Sequence, residues 1–404
     1  MGAGLGWIDF SNAQRDRVFS VVDLLSEGGT VDELGIGSVR DSIADWLFPG
    51  VSTIQTRPKY FIILTEIFLE YLKKYQKGEK VPQLAKYLKD EEHRIMHLLA
   101  KNHNYKDGDG VIGVTVAQNN GELARKASSV YWNGLRVHKL IDTEFSSSEY
   151  LLQNDLSNID YSGSRNTSDP DDGLLIEQHF SINTPFFNCV KEDMRMELSE
   201  LEANYLRDQF RDTASNLKQN NNLLSQLFTK ERAKIVATSN NFQEMANQLL
   251  FDDELNDETK RILKIAILFD FVLHGAHIRY NIQLHKRSGE LSFDDKWNEW
   301  LMELETRRKD VEELDFDYIF SEVSPRTNSE TQSFMKFWKE EVLKLQLNIE
   351  LLDKLVYRQE VRKKGAKAKL TSVNGEFTHW IGLQSLQYRF NIVKNIVKDI
   401  QVHA

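Results

Sequence analysis

Cysteine and proline are scarce in this sequence of 404 residues, and its 51 basic residues are outnumbered by 61 acidic ones. A single cysteine, Cys189, excludes an internal disulfide and any zinc site built from several cysteines, so we expect a cytoplasmic protein. The 6 prolines and 21 glycines, with 41% hydrophobic and 28% charged residues, indicate a folded chain that favours helices. The net charge of −10 argues against general nucleic-acid binding, although a local basic face is compatible with it.

Long hydrophobic runs are absent as well. The longest apolar stretch, 262–273, is interrupted by Lys264 and Asp270 and is too short to span a bilayer. The first residues lack the basic start and apolar run of a signal peptide. The sequence therefore predicts a protein without a membrane segment.

Established catalytic and cofactor motifs are also missing. The chain has no P-loop, no dinucleotide-binding fingerprint and no nucleophile elbow. Residues 107–110 resemble the start of a calcium loop, but the required glutamate is absent. His93 and His97 have a metal-binding spacing, yet they lack the glutamate of a zincin and an evident third ligand. We therefore expect no cofactor and no metal, and the sequence leans against an enzyme without deciding the question.

The spacing of apolar residues predicts a mainly α, multi-helical protein. Helical spacing dominates after residue 192, which predicts a helical C-terminal half. Residues 123–141 have the order of a short helix, a turn and a longer helix, which predicts a winged-helix-like segment with a small wing near 111–117 and 142–146. The predicted divisions are 1–78 (a helical region with the N-terminal motifs), 79–145 (winged-helix-like), 146–185 (a linker or irregular loop) and 186–404 (a helical domain).

The first sixty residues carry two unusual clusters, 7–11 and 32–57, in which glycine, small hydroxyl and ionisable residues interrupt large apolar ones. Such a composition predicts loops of defined backbone geometry. The carboxylates there could cap helices and pair with arginine, which we favour, or bind magnesium in a nuclease. The candidate structural or functional residues of this N-terminal motif are Asp9, Asp32, Arg40, Asp41, Gln55 and Arg57.

Two basic segments are candidate nucleic-acid-binding surfaces. The helix pair near 125–136 could meet phosphate or base edges, or could simply mediate protein contacts or packing. The segment 358–369 is dense enough to bind phosphate, with Trp380 and Tyr388 nearby to stack on bases, or could be a solvated connection between helices. The candidate residues are Arg125, Lys126, Ser128, Ser129, Arg136, Arg362, Lys363, Lys364, Lys367 and Lys369.

Polar residues also follow the most apolar part of the chain. His274, His277 and Arg279 lie within the predicted buried helix 262–284. Because buried polar groups need hydrogen bonds, these residues predict a specific internal network, with a functional site as the alternative.

Several of these motifs resemble an uncharacterised prokaryotic family. The matching segments are Trp7–Ser11, Asp32–Gly37, Leu47–Gly50, Ser52–Arg57, Ser128–Leu135, the helix around His274, Tyr388–Arg389 and Asp399–Ile400, so that the resemblance covers essentially the whole chain. That family carries only a domain-of-unknown-function label. It implies a gene neighbourhood of helicases and phospholipase-D-like nucleases, typical of antiphage defence islands, and it supplies no catalytic residues. Ala127 stands where the family pattern prefers proline, which weakens the start of the second helix.

The resemblance and the residues together lead to one expected function and one alternative. We expect a non-enzymatic subunit of an antiphage defence complex, which acts with a helicase or phospholipase-D-like nuclease subunit, touches nucleic acid and has no membrane partner. DNA is a candidate nucleic acid, and the sequence leaves the choice between DNA and RNA open. The alternative is a metal-dependent nuclease that uses the N-terminal carboxylates. Because the chain lacks a compact acidic motif, the first reading is favoured.

Overall fold

A computed structural model describes residues 32–119, 121, 123–159, 180–185, 187–216, 221–288, 292–371, 377 and 379–402. This part of the chain contains sixteen α-helices and no β-strand; one isolated antiparallel bridge joins Ile141 and Ile182. The prediction of a mainly α fold with a helical C-terminal half is confirmed. Asp9 and the rest of the motif at 7–11 lie outside the described residues.

The helices follow one another through most of the described chain. They are α1 Gly37–Leu47, α2 Lys59–Gln76, α3 Leu84–Asn102, α4 Val114–Gln118, α5 Ala127–Val137, α6 Ser147–Gln153, α7 Glu200–Asn216, α8 Leu223–Gln226, α9 Lys230–Thr238, α10 Phe242–Leu249, α11 Asp257–Ser288, α12 Asp294–Glu313, α13 Phe316–Tyr318, α14 Ser329–Val342, α15 Ile349–Lys364 and α16 Phe390–Gln401. A π-helical turn follows α13, and two short 3₁₀ turns follow α15. Among the described helices, none combines the length and apolar content that a bilayer crossing requires.

The described residues form two compact units, each assembled from separated stretches of chain. The first contains the described residues up to Ile43 together with Arg261–Tyr388. The second contains Ala44–Lys260 and the chain from Arg389 onward. The boundaries predicted from the sequence, at 78, 145 and 185, follow chain order instead, and they stay predictions.

Helix α11 supplies the centre of the first unit. Trp300 packs on this helix at Gly275, where a Cβ atom would lie 2.4 Å from Trp300 Cζ2. The indole N–H of Trp300 donates to the Phe271 carbonyl, and that of Trp338 donates to the Val272 carbonyl, both at 2.9 Å. The two buried tryptophans therefore add apolar area to the core while their polar atoms stay hydrogen-bonded.

Aromatic rings around Phe61 of α2 form the centre of the second unit. Its ring centroid lies 5.0 Å from that of Tyr131 and 5.6 Å from that of Phe210, and both pairs meet edge to face. A Cβ atom at Gly134 would lie 2.7 Å from the Gly50 carbonyl oxygen and 2.7 Å from Phe61 Cε1. The glycine in α5 thus allows this helix to approach α2 and the turn at Gly50.

The structure differs from the sequence prediction around the expected wing. Residues 114–118 form α4 instead of a strand, since Ala117 packs against Met96 and Ala100. No strand occurs at 142–146 either. Ser146 instead starts α6 with a capping box in which its side chain accepts from the Glu149 amide. The predicted linker therefore contains a short capped helix.

The close contact at Gly134 yields a stability prediction. We expect Gly134→Ala to lower the free energy of unfolding by about 1–3 kcal/mol, because the added methyl group overlaps the Gly50 carbonyl and the Phe61 ring. Urea unfolding followed by circular dichroism measures the change. Asn133→Ala is the matched control at the exposed neighbouring position, where we expect a change within about 0.5 kcal/mol. Equal stability of the two variants would contradict the packing described here.

Candidate functional site

Asp32 caps the first turn of α1. Its two carboxylate oxygens accept hydrogen bonds from the amides of Ile36 and Gly37, each at 2.8 Å. A Cβ atom at Gly37 would lie 2.8 Å from Asp32 Oδ2, so glycine leaves the space that this cap needs. The carboxylate satisfies amides that have no partner inside the helix.

Glu33 is buried beside the basic end of α15. Its side chain is 2% exposed and forms ion pairs with Lys364, at 3.3 Å, and with Lys369. The carbonyl of the next residue, Leu34, accepts a hydrogen bond of 2.6 Å from Gln359 Nε2. Gly35 has a φ of +70° and leaves room for the aliphatic part of Lys363. The segment around Glu33 is therefore bound closely to the C-terminal end of α15.

The other residues of the N-terminal motif bind partners close to them in structure. Arg40 and Asp41 form an ion pair of 2.9 Å. Gln55 is buried, and its amide group donates to the Gly50 carbonyl at 3.0 Å. Arg57 forms an ion pair with Asp399. Within the described ranges, no three His, Cys, Asp or Glu side chains are grouped so that they could hold a metal ion.

Some basic side chains of the segment 358–369 form ion pairs within the protein, and others do not. Lys364 and Lys369 bind Glu33, and Arg362 lies 3.2 Å from Glu330. The exposed side chains with no ion pair to any other described residue are those of Arg358, Lys363 and Lys367. Three basic residues in the last turn, Arg362, Lys363 and Lys364, also complement the negative end of the helix dipole.

The predicted stacking partners of this segment are not placed for that role. Tyr388 is buried, and its hydroxyl donates to the Ala266 carbonyl at 2.9 Å. Trp380 is half-buried and stacks on His274 with the ring centroids 5.5 Å apart. Tyr388 is therefore not available to stack on a base, and His274 occupies one face of the Trp380 ring.

One candidate residue of the predicted nucleic-acid-binding surface near 125–136 is not accessible. Ser128 is buried, and its amide and hydroxyl bind the Glu92 carboxylate at 2.7 and 3.1 Å. Burial raises the pKa of Glu92, and the bonds to Ser128 partly oppose that rise. Glu92 therefore occupies the N-terminus of α5, where a phosphate was expected, and Ser128 is not available to a ligand.

The remaining residues of that surface stay closer to solvent. The Ser129 hydroxyl is exposed and donates to the Lys126 carbonyl at 2.7 Å. The Arg136 guanidinium donates to the Thr143 carbonyl at 3.0 Å and lies 3.4 Å from Glu144. Arg125 and Lys126 are half-buried immediately before α5. Nucleic-acid contact through these residues stays a prediction.

The polar residues of α11 lie on two faces. Arg279 pairs with both oxygens of Asp353 at 2.8 Å. His277 is buried, and its Nδ1 lies 2.9 Å from the Leu273 carbonyl within the helix. Burial lowers the pKa of His274 to about 4 and also lowers the pKa of His277. His277 is therefore packed inside the first unit and His274 is half-buried, and burial disfavours the charged form of both rings.

Residues 379–386, which we call the covering segment, lie along one face of α11. The segment has no regular structure, and its backbone bonds to side chains of the helix. Asn281 donates to the Ile381 carbonyl at 2.9 Å and accepts from the Ile381 amide at 2.8 Å. Asp270 accepts from the Leu386 amide at 2.9 Å and from the Ser385 hydroxyl at 3.2 Å. Burial raises the pKa of Asp270 to about 7.

The comparison with protein families gives one match, over residues 2–310, to a model described as a family of unknown function (DUF6361). The chain belongs to this family. Among curated proteins and among solved structures, no match is found. The matched range of this family member includes Glu33, Ser128 and His277, whereas the basic segment 358–369 lies beyond it.

Sequence reasoning missed three groups that organise these sites. The sequence pattern does not identify Glu92 or Asp270 as site residues, and it presents Glu33 only as one of the carboxylates in the segment 32–57. Glu92 occupies a buried position of an amphipathic helix, and Asp270 interrupts an apolar run. A carboxylate at such a position needs a hydrogen-bond donor inside the protein. The sequence therefore predicts that a donor exists for each carboxylate, but it does not identify which residue provides it.

The raised pKa of Asp270 yields a pH-dependent prediction. The ordinary pKa of 3.8 rises to about 7 in the folded protein, so the stability contributed by protonated Asp270 is complete below pH 3.8 and is lost as the pH rises towards 7. We expect the stability of the wild type relative to Asp270→Asn to fall across this window, by at most about 1.4 kcal/mol per pH unit. Urea unfolding at several pH values measures this difference.

The same comparison controls for the histidines. His274, whose pKa is lowered to about 4, titrates in an overlapping window with the opposite effect, but it is present in both proteins and largely cancels in the difference. Parallel curves of stability against pH for the wild type and Asp270→Asn would contradict the assignment.

Proposed function

We propose that this protein is a non-enzymatic subunit of a prokaryotic antiphage defence complex, which acts with a helicase or phospholipase-D-like nuclease and contacts nucleic acid. The observation that carries the nucleic-acid part is the group of exposed cations at the end of α15. Arg358, Lys363 and Lys367, which we call the basic patch, have no ion pair to another described residue in a chain of net charge −10. Phosphate groups would supply the missing counter-charges.

The residues around the basic patch limit its affinity for nucleic acid. Lys364 and Lys369 already hold Glu33, and Arg362 lies beside Glu330, so three cations of the described segment 358–369 are available to phosphate. Three phosphate contacts and an acidic chain support weak, salt-sensitive and sequence-independent binding, in the micromolar range or weaker at physiological salt. Such an affinity suits a subunit that is held near nucleic acid by its partners.

The described carboxylates support a non-enzymatic role. Asp32 caps α1, Glu33 binds two lysines and Asp41 pairs with Arg40. A nuclease that uses two metal ions needs carboxylates that converge on the ions. Magnesium-dependent cleavage of DNA by the purified protein, lost in Asp41→Ala, would instead support the nuclease alternative.

The basic patch yields a prediction about salt dependence. We expect Arg358→Glu, Lys363→Glu and Lys367→Glu together to abolish binding of a short fluorescent duplex, measured by anisotropy between roughly 50 and 200 mM salt. In the wild type, each cation that contacts a phosphate contributes about 0.9 to the slope of log affinity against log salt, so the slope should not exceed about 3. A slope near zero in the wild type would contradict phosphate contact.

Two further variants separate the local patch from total charge. Charge reversal of Lys234, Lys309 and Lys344, which are also exposed, changes the net charge equally and should weaken binding much less. Glu33→Gln should strengthen binding, because Lys364 and Lys369 then become available to phosphate. Circular dichroism checks that each variant is folded. Equal loss in both triple variants would assign the effect to net charge alone.

The partner yields a separate prediction. When the tagged protein is expressed with the other products of its own operon, we expect a helicase or phospholipase-D-like nuclease to co-purify after the lysate has been treated with nuclease. The charge-reversed patch variant, tested in the same way, shows whether the partner binds through the basic patch or through another surface. Recovery of no operon product, together with unchanged phage plating after gene deletion, would contradict the defence-complex proposal.

A further inference from the structure

Two histidines lie together on the outer side of α3. His93 is exposed and His97 is half-buried, and their ring centroids are 4.6 Å apart at an angle of 72°. The opposite side of the helix is buried through residues such as Leu88, Ile95 and Leu99. The two rings therefore meet at the surface, next to solvent.

The ring nitrogens of this pair are available. Neither ring has a hydrogen bond or an ion pair to another residue in the described part of the chain. Side chains four positions apart on a helix lie on the same face, so both rings can turn towards one point outside the helix. Neutral imidazole nitrogen suits zinc, copper and nickel, whereas magnesium and calcium prefer oxygen.

We propose that His93 and His97 chelate one late first-row divalent cation, with affinity in the order copper over nickel and zinc. The two imidazoles are the only protein ligands that the described residues bring together there, so the other coordination positions are filled by water or by a donor from a partner. The site is then a surface position at which a metal ion can link this helix to another molecule. It is independent of the proposed nucleic-acid contact.

The neighbouring charges set a modest affinity. Arg94 is paired with Glu91 at 2.6 Å, so its charge is partly neutralised. Lys101 is exposed one turn after His97, and its charge opposes a cation. Solvent screens these charges, while the nitrogen–metal bonds are short and direct.

The experiment uses the full chain without a histidine tag. Calorimetric titration with copper or nickel chloride should show one cation bound per chain, and magnesium chloride should show none. His93→Ala and His97→Ala should each weaken binding on the order of a hundredfold, because each leaves a single ligand where two acted together.

Two double variants provide a control of equal composition. Lys101 is exposed and lies four residues after His97. His93→Ala with Lys101→His rebuilds a pair with the original spacing, at 97 and 101, and should restore binding. His97→Ala with Lys101→His leaves histidines eight residues apart and should not restore it.

The outcomes decide the proposal. Wild-type affinity in either single variant, or equal affinity in the two double variants, would show that the cation binds elsewhere. Absence of copper and nickel binding to the wild type would also overturn it. Circular dichroism of each variant confirms that a lost signal reflects a lost ligand and not an unfolded chain.

Discussion

A helix that is buried on most of its faces must find a hydrogen-bond partner inside the protein for each polar side chain it carries. Helix α11 carries such side chains at Asp270, His274, His277, Asn281 and His285, each three or four residues after the last. The covering segment is irregular, so its backbone groups need partners as well. Asn281 binds both backbone groups of Ile381, and Asp270 binds the Leu386 amide. Asp270 and Asn281 on the helix and the backbone of the covering segment therefore satisfy each other's hydrogen-bonding groups.

In the second unit, single polar side chains on helices likewise bind backbone groups of other segments. The Tyr131 hydroxyl accepts from the amides of Thr56 and Arg57 at 2.8 and 3.1 Å and donates to the Arg57 carbonyl at 2.8 Å. A Glu66 carboxylate oxygen accepts from the Cys189 amide at 2.7 Å, and Glu92 binds the Ser128 amide. Polar side chains on helices thus hold the irregular backbone at Thr56, Arg57 and Cys189 and the first turn of α5.

Helical periodicity was sufficient for the class of fold, because it reflects which side of each segment is buried, and burial is encoded locally. The prediction of a wing was wrong because residues 114–118 are too few to show helical periodicity. Only the packing of this segment on α3 decides that it is a helix. The burial of Ser128 could not be predicted for a different reason. Ser128 at a helix N-terminus has the same local sequence whether a phosphate or Glu92 occupies that position, and Glu92 lies 36 residues earlier. Such pairings depend on the tertiary fold.

Several polar residues inside the range matched by the family bind partners that lie beyond that range. The matched residues, 2–310, include Glu33 and most of α11, but Lys364, Lys369 and Gln359, which bind the segment around Glu33, all lie beyond residue 310. So does the covering segment, whose backbone binds Asp270 and Asn281. A buried carboxylate without its lysines is strongly unfavourable, and so are buried polar side chains without partners. The matched range is therefore not a self-sufficient structural unit in this protein. The basic end of α15 has a structural role through Glu33 before any ligand is considered, and nucleic acid would use only the charges that this role leaves available.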